Sequence, residues 1–246
     1  MDNQIQSLKT LLLQIRETPH VCHEELQSFS KYSGLNTEQI NVFNMFQNPD
    51  FEPEIVNGYD GIFVGGASKA SVLEPENFPF ILNAQKLLLY CIKNDIPVFA
   101  SCFGFQLAVI ALGGEIIRDV SDYEMGTIEI TRSAEVYDDP IFSSVPRQFL
   151  AVAVHRERTI APPQNCQLLA YTESCCHAFR VKNKPFWAFQ FHPEVDRDIL
   201  IQRLTVYKSK YTENEVHLNK VINSARETPV SNSLAKTFIE NVVLAR

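Results

Sequence analysis

The chain of 246 residues is poor in glycine, with only 9, and holds no Cys-x-x-Cys pair, no surplus of basic residues and no apolar run of bilayer length. Sparse glycine beside 45% hydrophobic and 21% charged residues excludes collagen-like, low-complexity and disordered classes. Lys and Arg number 22 against 29 Asp and Glu, a net charge of -7, so the counterion-displacing stripe of a dedicated nucleic-acid binder is missing. The most apolar stretches, Leu11–Ile15, Leu87–Ile92 and Leu107–Leu112, fall far short of the roughly 20 residues that span a bilayer. The start, Met1-Asp2-Asn3-Gln4, has neither the basic opening nor the apolar core of a secretion signal. The expectation is a cytoplasmic chain with reduced thiols and no membrane or nucleic-acid partner. Without Cys-x-x-Cys, zinc ribbons and thioredoxin-like chemistry lose their main support. Neither GxxxxGK[ST] nor GxGxxG occurs, which removes the common phosphate loops.

What is present is a pattern of short buried strands and amphipathic helices. Leu8–Ile15 is a continuous apolar run suited to a strand covered on both faces. A helix over His23–Tyr32 ends near Gly34, Gln39–Phe46 reads as a second strand, and Gly61–Val64 as a third that stops at Gly65-Gly66. Phe80–Asn94 is helical, Pro97–Ala100 a strand, and Phe105–Leu112 a helix ending at Gly113-Gly114. The order β-α-β-β-α-β-α predicts an α/β fold with a mainly parallel, doubly wound sheet flanked by helices. The second half gives short strand-like runs at Thr127–Thr131, Gln148–Val154, Gln167–Tyr171, His177–Val181 and Phe186–Phe191, read as an antiparallel extension. From Asp196 the pattern turns helical: Ile199–Tyr207, a polar stretch around Asn214–Ser231, then Leu234–Leu244. No repeat or linker divides the chain, so residues 1–246 are expected to form one domain with a helical C-terminal extension over about 197–246.

Three local features carry chemistry. Cys102 sits where strand Val98-Phe99-Ala100 turns directly into a helix, an elbow that lifts a side chain above the sheet edge and places it at a helix N-terminus. Free N–H groups and the dipole there favour a thiolate and can hold an oxyanion. In Phe189-Gln190-Phe191-His192-Pro193-Glu194 an apolar strand delivers His192 at its end, with a carboxylate two residues on to orient the imidazole. Gly65-Gly66, at a strand terminus, can turn a backbone N–H inward to pair with that of Phe103.

Ala100-Ser-Cys-Phe-Gly-Phe-Gln106, Phe189-Gln-Phe-His-Pro-Glu194, the Gly65-Gly66 strand end and the 90 residues between Cys102 and His192 resemble the class I glutamine amidotransferases. Leu-Leu-Leu-Gln-Ile-Arg-Glu (11–17), Tyr123-Glu124-Met125-Gly126 and Val154-His155-Arg156-Glu157 are similar to the branch containing the amidotransferase domain of GMP synthetase, which includes free-standing members. The resemblance covers nearly the whole chain and implies the flavodoxin-like fold of that family. It implies Cys102 as nucleophile, His192 as base then acid, and Glu194 as its orienter. It implies oxyanion N–H groups from Gly66 and Phe103, Gln106 in the substrate pocket, and His155 and Glu157 near the substrate's α-amino end. No cofactor and no metal are implied. The reaction would be cysteine-dependent hydrolysis of the glutamine side-chain amide through a γ-glutamyl thioester, with ammonia passed to a separate synthase. No Ser-Gly-Gly-x-Asp-Ser motif is present, so no synthetase function is expected of these residues.

Two departures stand out: Ala100 replaces a glycine usual two positions before the nucleophile, and Phe105 a frequent Met or His. Two other readings use the same residues. A hydrolase of γ-glutamyl peptides or conjugates would share the triad and differ in its leaving-group pocket. A non-enzymatic member would use its acidic surface to bind a protein. His20-Val-Cys22-His23 and Cys175-Cys176-His177 each lack a second ligand pair at zinc-like spacing and are read as structural.

Overall fold

A computed structural model of the chain describes residues 2–119, 123–206 and 215–246. Among the described residues, nine strands form one sheet in the order β2-β1-β3-β4-β11-β10-β9-β6-β7. β1 (Thr10–Ile15), β2 (Ile40–Asn44), β3 (Gly61–Ala67), β4 (Val98–Ser101) and β11 (Phe186–Phe189) run parallel. β10 (Cys176–Val181), β9 (Cys166–Tyr171), β6 (Glu124–Arg132) and β7 (Gln148–His155) extend it antiparallel. Two-residue strands β5 (Ile117–Arg118) and β8 (Glu157–Arg158) form a separate pair. The expected antiparallel extension is present, except that Phe186–Phe189 joins the parallel half along β4 while pairing antiparallel with β10.

A short helix, α1 (Asp2–Ser7), precedes β1, and period-two alternation along β1 explains the two cores. Leu11, Leu13 and Ile15 join Ile62 and Val64 of β3 beneath α3 (Phe80–Lys93) and α4 (Phe103–Ala111). Leu12, with Phe63 and Phe99, faces the opposite layer, where α2 (Pro19–Ser33) contributes Phe29. α2 begins at Pro19, four residues before the predicted His23. Proline at the first helical position gives up no helical hydrogen bond, and Gly34 closes the helix at φ 76° with its N–H on Ser30 O.

The C-terminal segment adds a third cluster and completes the second layer. α5 (Arg197–Val206) and α6 (Glu215–Ser224) bury Leu200, Leu204, Leu218 and Val221 against Val152 of β7. α7 (Pro229–Asn232), α8 (Leu234–Phe238) and a π turn (Ile239–Val243) bring Phe238 against Phe63, Phe99 and Trp187, with ring centroids 5.4–6.2 Å apart. Of the predicted helical boundaries, Tyr207 and Asn214 lie outside the described residues. Among the described residues, no helix is long and apolar enough to cross a membrane.

Candidate active site

Cys102 caps α4 with φ 51° and ψ −101°, a conformation that costs a non-glycine residue about 1–3 kcal/mol. Three features over-determine the strained elbow. The Cys102 N–H donates to Phe189 O over 2.7 Å, which ties the elbow to β11. Phe103 is buried among apolar neighbours in the first turn of α4. Gly104 lies so close to β3 that a Cβ would stand 2.9 Å from Val64 Cβ and from its carbonyl oxygen. Gly104 is therefore required by packing on β3, while the turn's positive φ falls on Cys102. Ala100 lies inside β4, opposite Val64 and Ala188, and its methyl points into the apolar core.

β11 leads into the turn carrying His192. The His192 N–H donates to Val152 O over 2.8 Å, and Asn232 Nδ2 donates to Pro193 O and Val195 O at 2.8 and 3.0 Å. The turn is thus held by β7 on one side and by α7 on the other. His192 Nδ1 and Glu194 Oε1 are 2.7 Å apart, both side chains buried. Burial alone would push the imidazole down; negative charge on Cys102 and on Glu194 outweighs it and raises the ring to about 9. Burial would raise Glu194, yet His192 and then Arg203 hold its carboxyl below the usual range. Burial also pushes five thiols up, those of Cys22, Cys91, Cys166, Cys175 and Cys176, with Cys91 and Cys166 at about 12. Those thiols are protonated at neutral pH and poor nucleophiles.

Gly65 and Gly66 lie within β3, which continues to Ala67. The pair is not the strand end expected from the sequence; glycine stands at both positions because neither has room for a Cβ. At Gly65 a Cβ would stand 2.7 Å from Glu25 Oε1; at Gly66, 2.9 Å from both Arg16 Nη2 and His192 Cε1. Behind this strand Arg16 Nε meets Glu25 Oε1 at 2.9 Å in a buried ion pair, and Arg16 Nη1 donates to Ser68 Oγ at 2.9 Å. Arg203 of α5 grips both oxygens of Glu24 at 2.8 and 3.0 Å and adds positive charge near Glu194. Glu25, Arg203 and Asn232 escape sequence reading, and Arg16 enters it only within the 11–17 motif, with no role of its own. Their one local sign is that Arg16-Glu17 ends an apolar strand with charge.

A cavity of about 380 Å³ opens onto Cys102, lined also by Ser68, Gln106, Arg118, His155, Arg156 and Glu157. Gln106 Nε2 donates to Glu157 O at 3.0 Å. Glu157 Oε1 accepts from Ser71 Oγ at 2.6 Å and from Arg118 at 2.7 and 2.9 Å, which fixes its carboxylate in the wall. His155 borders the cavity, but its Nε2 stands 3.0 Å from Glu124 Oε2. Glu124, Met125 and Gly126 form the start of β6, with Glu124 paired to His155.

Cys102 stands at an elbow beside the buried His192–Glu194 pair, above the carboxyl edge of the parallel half of the sheet, the region where open α/β sheets place their ligands. The sequence profile of the glutamine amidotransferase class-I family matches residues 28–205, and the chain belongs to that family. It is 30% identical over 171 residues to the A subunit of the glutamine-hydrolyzing GMP synthase of Methanococcus vannielii, covering 69% of this chain and 80% of that one. It is 34% identical over 119 residues to the corresponding A subunit from Methanococcus aeolicus, covering 48% of this chain and 61% of the relative. Against the glutamine-hydrolyzing GMP synthase of Thermotoga sp. strain RQ2 it is 30% identical over 168 residues, 68% of this chain but only 31% of the relative. A glutamine amidotransferase from Thermotoga maritima superposes with a TM-score of 0.77 at 18% identity, covering 96% of this chain and 98% of the other. One from Methylobacillus flagellatus gives 0.71 at 14% identity, covering 96% and 95%. These two show the fold.

Proposed function

We propose that the protein hydrolyses the side-chain amide of glutamine on Cys102 and releases ammonia to a separate acceptor enzyme. The observation that carries this reading is the strained Cys102 elbow, facing the His192–Glu194 pair and opening onto a cavity of small-molecule size. The Cys102 thiolate adds to the amide carbon, and the carbonyl electron pair moves to oxygen. Backbone N–H groups of Gly66 and Phe103 stabilise that oxyanion. Protonated His192, held by Glu194, gives its proton to the leaving nitrogen, and the C–N bond breaks to leave ammonia and a γ-glutamyl thioester. Neutral His192 then takes a proton from water, which attacks the thioester. The C–S bond breaks, glutamate leaves and the thiolate–imidazolium pair is restored.

Pocket chemistry suits a zwitterionic amino acid. The wall carries the Glu157–Arg118 ion pair, whose two charges can be shared with an α-ammonium and a carboxylate, and Arg156 beside it. The M. vannielii relative is itself named as one subunit of a synthase, which supports an acceptor on another polypeptide. Glutamate release from glutamine by the wild type, abolished in Cys102→Ala, is the expected result; equal rates for the two would sink the reading. γ-Glutamyl dipeptides run in competition test the leaving group. Turnover of dipeptides without turnover of glutamine would reassign the substrate while leaving the triad in place.

A further inference from the structure

Away from the thiol, the antiparallel half of the sheet gathers four metal-ligating side chains. Glu124 opens β6, His155 ends β7 directly opposite it in register, and Cys175 and His177 bracket the first residue of β10. One donor atom from each lies within 4.8 Å of the other three. The His177, Cys175 and His155 side chains are buried, and Glu124 nearly so.

The polar atoms at the centre are unsatisfied. Glu124 Oε2 stands 3.0 Å from His155 Nε2 and 2.9 Å from His177 Nε2. Yet none of these three atoms is in hydrogen-bonding geometry with any group, and His177 Nδ1 has no partner either. Native interiors rarely leave buried polar atoms in that state. Two imidazole nitrogens crowded on one carboxylate oxygen, off the hydrogen-bond direction, is the arrangement of co-ligands around a shared cation. Donors bound at 2.0–2.3 Å to one ion stand roughly 3–4 Å apart, so seating it draws the wider pairs in from at most 4.8 Å and spreads the two Glu124–imidazole contacts slightly.

We propose that Glu124, His155, Cys175 and His177 bind a single zinc-class divalent cation. Two imidazoles, a thiolate and a carboxylate are the donors of a tetrahedral, borderline-soft ion, and unlike the all-oxygen shells of calcium or magnesium. On binding, the Cys175 thiol gives up its proton to solvent, and the thiolate and carboxylate match the two charges of the ion. Thr172 Oγ1 donates to Glu124 Oε1 at 3.0 Å and holds the carboxylate with its other oxygen inward. Four protein ligands close the coordination sphere, so the ion is structural. It pins together the ends of β6, β7 and β10, and through His155 it fixes the segment 155–157 that walls the cavity. Cys175-Cys176-His177 lacks a second pair in the sequence because the fold supplies one from two other strands.

The test uses the full chain, stripped with a chelator and titrated with cobalt(II) and then zinc. The expected result is one equivalent of metal per chain by elemental analysis after gel filtration. Cobalt should give a thiolate charge-transfer band with tetrahedral d–d absorption that zinc displaces. The band should persist in Cys102→Ala and vanish in Cys175→Ser. Should Cys175→Ser not fold, Glu124→Gln must keep the band while weakening cobalt binding by about tenfold or more. A wild-type protein that binds no stoichiometric metal overturns the proposal. So does a band lost in Cys102→Ala and kept in Cys175→Ser, or unchanged affinity in Glu124→Gln.

Discussion

Gly66 approaches His192 so closely that a Cβ on the glycine would stand 2.9 Å from the imidazole Cε1, with Arg16 Nη2 at the same distance. The missing side chain is thus what lets the β3 backbone reach the His192–Glu194 pair. Gly66→Ala must displace either the imidazole or the buried guanidinium. Because the displaced groups are fixed to Glu194 and Glu25, the alanine also moves the backbone N–H proposed for the oxyanion. The expected outcome is a kcat loss on the order of 10²-fold with the fold retained, read by steady-state glutamate release beside far-UV circular dichroism. Undiminished kcat would remove Gly66 from the site.

The His192–Glu194 pair sets a pH window. The His192 ring is raised to about 9, so its pairing contributes to stability fully below about pH 6.5, where the unfolded ring is also charged, and that contribution is lost as pH rises through 9. Glu194 is lowered, so its contribution is full above its ordinary range near 4.5 and is lost as pH falls through the folded value. In the proposed scheme the protonated ring serves the leaving nitrogen, so kcat/KM should fall on the alkaline side with an apparent pKa near 9. In Glu194→Gln the ring loses one of the two charges that raise it, and the alkaline limb should move to lower pH. A profile from about pH 5 to about pH 10 on both proteins decides this; superimposable alkaline limbs would rule out Glu194 as the orienting charge.

The Arg16–Glu25 pair is buried on both sides, and burial raises the Glu25 carboxyl despite the attraction of Arg16. Glu25→Gln leaves the guanidinium uncompensated and should cost about 3–5 kcal/mol in urea denaturation. The double variant Arg16→Met, Glu25→Leu should recover most of that stability, because it removes both desolvation penalties. It should not recover activity, since the wall behind Gly65 and Gly66 would be remade. A double variant no more stable than Glu25→Gln would overturn this account of the pair.

The legible parts of this molecule are those whose cause is local. Cys102 and His192 each follow closely on a buried strand, and Glu194 is two residues from the ring it pairs with, so strand ends and short spacings expose all three. Gly65-Gly66 is legible as a special place but reads as a strand end, because the reason for glycine there is the approach of Glu25, Arg16 and His192 from other elements. Arg203 meets Glu24 across 179 residues of chain, and Glu124 meets His155 only through the β6–β7 register. Neither pairing leaves a periodic trace. Phe186–Phe189 has the same short apolar texture as its antiparallel neighbours, and only its hydrogen bonding to β4 places it in the parallel half.

Asn232 lies in the C-terminal segment and makes two hydrogen bonds to the turn that carries His192, to Pro193 O and Val195 O, while Thr228 Oγ1 donates to its Oδ1 at 2.9 Å. Asn232 is therefore a positioning residue. It touches no reacting atom in the proposed scheme, but it holds both backbone carbonyls that flank Glu194. Asn232→Ala leaves those carbonyls unpaired in the interior, at a cost of about 1–3 kcal/mol for each. Its specific consequence is looseness in the His192–Glu194 geometry, so kcat should fall while KM for glutamine changes little, and the alkaline limb should shift toward that of Glu194→Gln. A purely structural role predicts lower stability with an unaltered pH profile. Asn232→Asp tests the same point from the other direction. It keeps the shape of the side chain, removes the donor and adds negative charge beside Glu194, and it should impair turnover at least as much as alanine.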